Sequence, residues 1–246
     1  MLILSGKTKP YLMAHRGNSV LCPENTLAAF RQAIEDGADI LETDLHLTAD
    51  GVFVCIHDAT LDRTTNGSGP VAQMTLDQIK KLSAGDGRFE TEQVPTLQEV
   101  MAQLPPEVAL ALELKTDRFL ESNICRQLVA ELQIGGVSER TVFLSFSVAR
   151  LQTMKAAAPD IPTGLITLKR VLPTAPTALL GPFWPILALN PSYVWWAHRL
   201  GKMVCPLDVN PDARLGFYRW LGCDAIMTNN PARTGRILRK KHFERE

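Results

Sequence analysis

The stretch "ILETDLHLTADGVFVCIHD", residues 40–58, sets two short apolar runs almost end to end. Strands are expected over 40–45 and 52–56, with six residues between them. A parallel neighbour requires a crossover of about a dozen residues or more, so the second run has to return as an antiparallel hairpin. Its turn is Asp50-Gly51, a pair that favours hairpins because glycine enters the left-handed backbone region without steric cost. With those two residues as the turn, Ala49 faces Val52, and counting outward puts Asp44 opposite His57.

Working outward, further strands are expected at 11–15, 108–114, 141–145, 162–168, 186–190, 203–207 and 224–228. Helical patterns fill most of the intervals: Asn25–Asp36, Thr96–Leu104, Phe119–Leu132, Val148–Ala158, Ser192–Leu200, Pro211–Leu221 and Pro231–Lys240. Short apolar strands alternating with helices indicate parallel β/α units. Nine strands are one too many for a closed eight-stranded ring, and setting aside the hairpin return at 52–56 leaves eight. The predicted class is therefore α/β, a TIM (β/α)8 barrel with a short insertion after the second strand region. The chain reads as one domain, 1–246, with two small domains as the alternative. The insertion, approximately 58–98, has turn residues at both ends and one helical pattern, Thr75–Leu82, with Thr75 as its cap.

With 46% hydrophobic residues in 246, the chain can bury a full core in one unit. Twenty-six basic and twenty-six acidic residues cancel, so bulk charge gives no pull toward nucleic acid or an anionic membrane, and phosphate recognition has to be local. Cys22, Cys55, Cys125, Cys205 and Cys223 show no close paired spacing and read as reduced apolar residues of a cytoplasmic protein. The start "MLILSGKTKP" is too short in apolar residues for a signal segment. The apolar run 172–189 contains Pro173, Pro176, Pro182 and Pro185, which disfavours a membrane helix, so no transmembrane segment is expected.

The strand ends are where the chemistry gathers. "DILETDLHL" places Glu42, Asp44 and His46 on one face of a period-two strand, and "VALALELKT" places Glu113 and Lys115 on one face of the next barrel strand. Carboxylates inside a barrel pay several kcal/mol in desolvation unless cations or protons meet them. One hard divalent ion held by Glu42, Asp44 and Glu113 satisfies all three. Salt bridges to Arg16 or Lys115 are the alternative that needs no metal.

In "AHRG", residues 14–17, His15 taken alone reads as a rim or core histidine. Next to Arg16, whose fork suits phosphoryl oxygens, and Gly17, which allows close backbone approach, it reads as part of a site. His57 has Asp58 beside it as a brace. Two histidines titrating near neutrality suit phosphodiester cleavage, one taking a proton from the attacking oxygen and the other giving one to the leaving alcohol. Other signals are weaker. "NGSG" at 66–69 reads as a loop, "KK" at 80–81 and "RKK" at 239–241 as solvated faces, and His198 as packing or surface. Phe183, Trp184, Tyr193, Trp195, Trp196, Phe217 and Trp220 are read mainly as core, with one or two available to line an apolar approach. Ser145 and Ser147 lack the G-x-S-x-G elbow of an acyl hydrolase.

Taken together, "AHRG" (14–17), "PENT" (23–26), "ETD" (42–44), "HD" (57–58), "LDRTTNGSG" (61–69), "ELK" (113–115), "SF" (145–146) and "CDAIMTNNP" (223–231) resemble, in order, the signature segments of the glycerophosphodiester phosphodiesterase family. That resemblance implies a β/α barrel hydrolysing glycerophosphodiesters to glycerol phosphate and an alcohol with one divalent metal ion, Ca2+ or Mg2+. It implies that His15 and His57 are the acid/base pair, that Arg16 and Lys115 contact the phosphate, and that Glu42, Asp44 and Glu113 hold the metal. Glu24 and Asn25 would shape the loop under Arg16, with Asp58 in a supporting role. Two segments depart from the family pattern. "LDVN" at 207–210 has Leu207 in place of a tryptophan, and "TNNP" at 228–231 has Asn229 in place of an acid. Two other readings stand beside this one: a lysophospholipase D-like activity on lysophospholipids, and a barrel that binds phosphorylated ligands or lipids without turnover.

Overall fold

The computed structural model describes residues 4, 6–85 and 91–239. Its strands are β1 (Tyr11–His15), β2 (Ile40–Leu47), β3 (Phe53–Cys55), β4 (Ala109–Leu114), β5 (Thr141–Ser145), β6 (Thr163–Thr167), β7 (Leu179–Pro182), β8 (Met203–Val204) and β9 (Ala225–Thr228). Eight of them form one parallel path in the order β8-β7-β6-β5-β4-β2-β1-β9, and β3 pairs antiparallel with β2 outside it. The described helices are α1 (Leu27–Glu35), α2 (Leu76–Ile79), α3 (Leu97–Ala102), α4 (Ser122–Ile134), α5 (Val148–Ala157), α6 (Trp184–Leu189), α7 (Tyr193–Arg199), α8 (Leu215–Leu221) and α9 (Pro231–Arg239). This is a (β/α)8 barrel, nearly closed, as the alternation predicts.

Two aspartates pin strands across the ring. At the start of β2, Asp39 accepts from the Leu12 N–H (2.8 Å) and returns its own N–H to the Leu12 carbonyl (2.9 Å). At the start of β9, Asp224 does the same to Val204 of β8, with both bonds at 2.8 Å. Each aspartate follows a glycine with positive φ by two residues, Gly37 (81°) and Gly222 (79°). The second pin joins the two ends of the strand path. Lys9 (2.6 Å) pairs with the same carboxylate and His198 Nε2 lies 2.9 Å from its Oδ2, so His198 braces the barrel.

Period-two alternation sorts the side chains into two cores. Leu41 and Leu45 of β2, Leu110, Leu112 and Leu114 of β4, and Ala14 of β1 point outward and pack under the helices around Phe30, Phe119 and Tyr218. Tyr11, Met13, Ile40, Ala109, Ala111, Val142 and Leu144 point inward and fill the floor of the barrel. The next inward positions up, at the C-terminal ends of the strands, are the polar ones.

The insertion has a small core of its own, with Val71, Ile79, Ala84 and Val94 closing over Val54 and Ile56. Its helix α2 is shorter than the Thr75–Leu82 pattern, and Thr75 and Gln78 form a capping box at its start.

Three expectations need correction. The hairpin register pairs Leu45 with Cys55 and Leu47 with Phe53, so Asp44 lies opposite Ile56 and Ala49 does not face Val52. The turn is one residue longer than Asp50-Gly51 alone, because the Thr48 N–H bonds the Val52 carbonyl and the Thr48 hydroxyl bonds both Asp50 and the Val52 N–H. The run 186–190 is not a strand. It falls largely in α6, where Pro185 sits in the first turn with its φ already set for a helix. The sixth barrel strand, β7, is Leu179–Pro182, inside the proline-rich run where no strand was expected, and 203–207 shortens to Met203–Val204.

The aromatics also divide otherwise than expected. Tyr193 is buried, whereas Trp195, Trp196 and Trp220 are more than half exposed.

Replacing Asp224 with Ala removes the side-chain half of the pin between β8 and β9 and leaves the buried Val204 N–H without its acceptor. It should cost about 2–3 kcal/mol in urea unfolding, a loss that Asp224→Asn should partly restore.

Candidate active site

The inward face of β2 carries Glu42 and Asp44, and the register pairs Asp44 with Glu113 on β4 and His15 on β1 with Glu42. All four therefore stand at the same end of the barrel. One carboxylate oxygen from each of Glu42, Asp44 and Glu113 lies within 4.8 Å of the others, and all three side chains are buried.

Fixed cations meet this charge only in part. Lys115 Nζ is 3.0 Å from Glu113 Oε1 and 3.5 Å from Asp44 Oδ1. Arg16 Nε is 3.1 Å from Asp44 Oδ2, an ion pair lying off the N–H axis, while its Nη1 donates to Glu24 Oε1 at 2.9 Å. Glu42 has no ion pair among the described residues; its carboxylate accepts the Arg16 backbone N–H at 3.0 Å. Salt bridging thus answers two acids of three.

The electrostatics register the shortfall. Burial, then Asp44 and Glu113, raise the Glu42 pKa well above the usual glutamate value. Burial and Asp44 raise Glu113. Asp44 is held low against its burial by Arg16, Lys115 and a hydrogen bond from Asn25. Asp44 Oδ1 is buried with no hydrogen-bond partner among the described residues. An unmatched carboxylate beside an orphaned buried oxygen, in an all-oxygen donor set, is what a hard divalent cation would satisfy, and the three residues fit such an ion.

The loop after β1 is bent to serve this centre. Arg16 and Asn25 both hold φ of 57°, a strained region for residues with a side chain. The Asn25 N–H bonds the Arg16 carbonyl, and its side chain bridges Asp44 Oδ2 (2.9 Å) and the Thr43 hydroxyl (2.7 Å). Gly17 (φ 78°) lies so close to α1 that a Cβ there would come within 2.5 Å of the Ala29 backbone.

The two histidines are held from opposite sides. His15 Nδ1 is 2.7 Å from Asn229 Oδ1 at the end of β9, and burial followed by the Arg16 charge lowers its pKa to about 4. His57 Nδ1 is 2.6 Å from Asp58 Oδ1, and Asp58 is kept well below the usual carboxylate range chiefly by its hydrogen bond from Arg63. Asp44 lies within electrostatic reach of both His15 and His57. His46 turns out of the cluster, with its Nε2 3.2 Å from the His57 carbonyl.

Sequence reasoning missed two residues here. Arg63 links Glu24 (2.7 Å) and Asp58 (2.5 Å), joining the Arg16 and His57 sides of the site. Its signal was its place in "LDRTTNGSG", five residues after Asp58. Asn229, read as a departure from a pattern, is the partner of His15.

Fold and site together define a (β/α)8 barrel with a three-carboxylate centre, suited to a divalent cation, at one end of its strands. Residues 15–233 match the sequence profile of the Glycerophosphoryl diester phosphodiesterase family, and the chain belongs to that family. It is 35% identical over 242 residues to a glycerophosphodiester phosphodiesterase of Caldanaerobacter subterraneus subsp. tengcongensis, spanning 94% of this chain and 99% of the relative. The solved glycerophosphodiester phosphodiesterase of Agrobacterium tumefaciens superposes with a TM-score of 0.80 at 28% identity, over 92% of this chain and 99% of that one. An Oleispira antarctica phosphodiesterase, solved with its product sn-glycerol-3-phosphate, superposes with a TM-score of 0.84 at 27% identity, over 93% and 96%.

Adding a divalent cation to chelator-treated protein should raise the melting temperature by several degrees, reflecting about 2–3 kcal/mol at a hundredfold excess over Kd. In Glu42→Gln the cation-dependent rise should vanish while the metal-free melting temperature stays equal or increases, because the substitution removes a buried like charge. Scanning calorimetry reads both.

Proposed function

We propose that this chain hydrolyses small glycerophosphodiesters to glycerol phosphate and an alcohol, with His15 as first proton acceptor and His57 as proton donor to the leaving group. The observation that carries the reading is the three-carboxylate centre with His15, Arg16 and Lys115 gathered around it. An amide oxygen on Nδ1 leaves His15 with its proton there and a free lone pair on Nε2. With a pKa of about 4, that ring is neutral at pH 7, the form that takes a proton from an attacking glycerol hydroxyl. On the other side, Asp58 accepts from His57 Nδ1, which orients Nε2 toward the leaving alkoxide.

Arg16 keeps Nη2 free of hydrogen bonds among the described residues, and Lys115 has a third ammonium proton to offer; both suit phosphoryl oxygens. A bound Ca2+ or Mg2+ on Glu42, Asp44 and Glu113 would polarise the phosphoryl group and offset charge developing on it. A cyclic phosphate formed by the glycerol hydroxyl and then opened by water accounts for two histidines exchanging one proton each way.

A second reading, action on lysophospholipids, is favoured by one feature. Leu207 and Val209 pack at the barrel mouth where an indole was expected, giving an aliphatic wall on the alcohol side.

Glycerophosphocholine, glycerophosphoethanolamine and lysophosphatidylcholine should be assayed with calcium, with magnesium and with chelator. Turnover is expected with a divalent cation alone and should cease in chelator; release in no condition would leave a ligand-binding barrel instead.

His15→Ala and His57→Ala should each lower kcat by at least about 100-fold with an unchanged circular dichroism spectrum. Asn229→Asp puts a full negative charge against His15 and raises its pKa. A base fails as pH falls through its pKa, so the acid limb of kcat/KM should move to higher pH in this variant.

A further inference from the structure

Above β6 and β7 the regular alternation breaks down. Residues 168–178 carry no helix, and the short α6 lies beside them. Leu168, Val171 and Leu172 are 55%, 51% and 57% exposed, and Leu189 at the end of α6 is 83% exposed. Backbone contacts hold this cluster together and tie it to the site. The Asn190 side chain donates to the Val171 carbonyl (3.1 Å), the Phe183 N–H donates to the Thr167 carbonyl (2.8 Å), and Phe183 bridges to Leu207 at the barrel mouth.

Lys169 and Arg170 stand exposed between the apolar side chains, and no acid pairs with either among the described residues. Two unpaired cations set among exposed aliphatic side chains complement an anionic, apolar-backed surface, and lipid headgroups over acyl chains present one. Since the chain has no net charge, attraction to such a surface has to be local, and this patch supplies two cations for it.

We propose that the β6–β7 rim docks on anionic lipid surfaces, with the open end of the barrel beside the headgroup layer. Amphiphilic phosphodiesters would then enter along the Phe183–Leu207 side. The use of this rim rests on the phosphodiesterase reading, but the docking itself does not, because binding is measured without turnover.

The experiment is co-sedimentation in chelator with phosphatidylcholine vesicles, pure or containing about a third phosphatidylserine. Wild type should partition onto the anionic vesicles at least tenfold more strongly than onto the neutral ones, and added salt should weaken the binding. Lys169→Glu/Arg170→Glu and Leu168→Asp/Leu172→Asp should each lose about tenfold or more in that partition, with hydrolysis of water-soluble glycerophosphocholine unchanged. No preference for anionic vesicles, or binding indifferent to both double variants, overturns the proposal. So does a wild-type dimer in sedimentation velocity that the aspartate variants dissolve, since the face would then serve a second copy. Vesicle binding with no hydrolysis of any diester would uphold the docking and defeat the phosphodiesterase reading.

Discussion

Three carboxylates buried in one ring, with two fixed cations to answer them, form the constraint around which this protein is built. A barrel interior is a poor place for such charge, and its cost must be met locally. Strand alternation lets the chain place it in one layer: Ile40, Ala109 and Ala111 fill the floor, and the next inward positions of the same strands carry Glu42, Asp44 and Glu113. The strained backbone at Arg16 and Asn25 follows from the same demand. Those conformations aim an N–H at Glu42 and an amide at Asp44 that an ordinary turn would send elsewhere.

The insertion completes what the ring begins. Its small core packs on β3, and Arg63 reaches from it to both Glu24 and Asp58. A continuous chain of ionic contacts therefore runs from Asp44 through Arg16, Glu24 and Arg63 to Asp58, whose Oδ1 in turn lies 2.6 Å from His57 Nδ1. Each acid in it is held by a guanidinium, so the histidine at its end inherits its orientation from residues that are themselves fixed.

Much of this was legible in the amino-acid sequence, for identifiable reasons. In strands read as parallel β/α units, with helices covering the outer face, the alternate positions of Glu42, Asp44 and Glu113 point into the ring, so their convergence was legible, with a shared cation or salt bridges to Arg16 and Lys115 as the two ways to meet their charge. Asp50-Gly51 announced the hairpin, but its register depended on side-chain bonds from Thr48 that no pair preference encodes. Strand β7 was hidden because Leu179–Pro182 is four residues long among prolines, while "ILALN" has the apolar density of a strand and no periodicity to contradict it. Asn229 was legible as a substitution and illegible as a contact, because its partner lies 214 residues away.

That separation bears on when activity can arise as the chain emerges from the ribosome. His15 on β1 is made 214 residues before Asn229, whose amide meets its ring beside β9, next to β1 in the barrel. Until β9 docks, a nascent chain can already carry every carboxylate of the centre and both imidazoles, and still lack the group that orients one of them. With His15 as the proposed base, competence would be tied to completion of the barrel, because its orienting amide is supplied only when β9 takes its place beside β1.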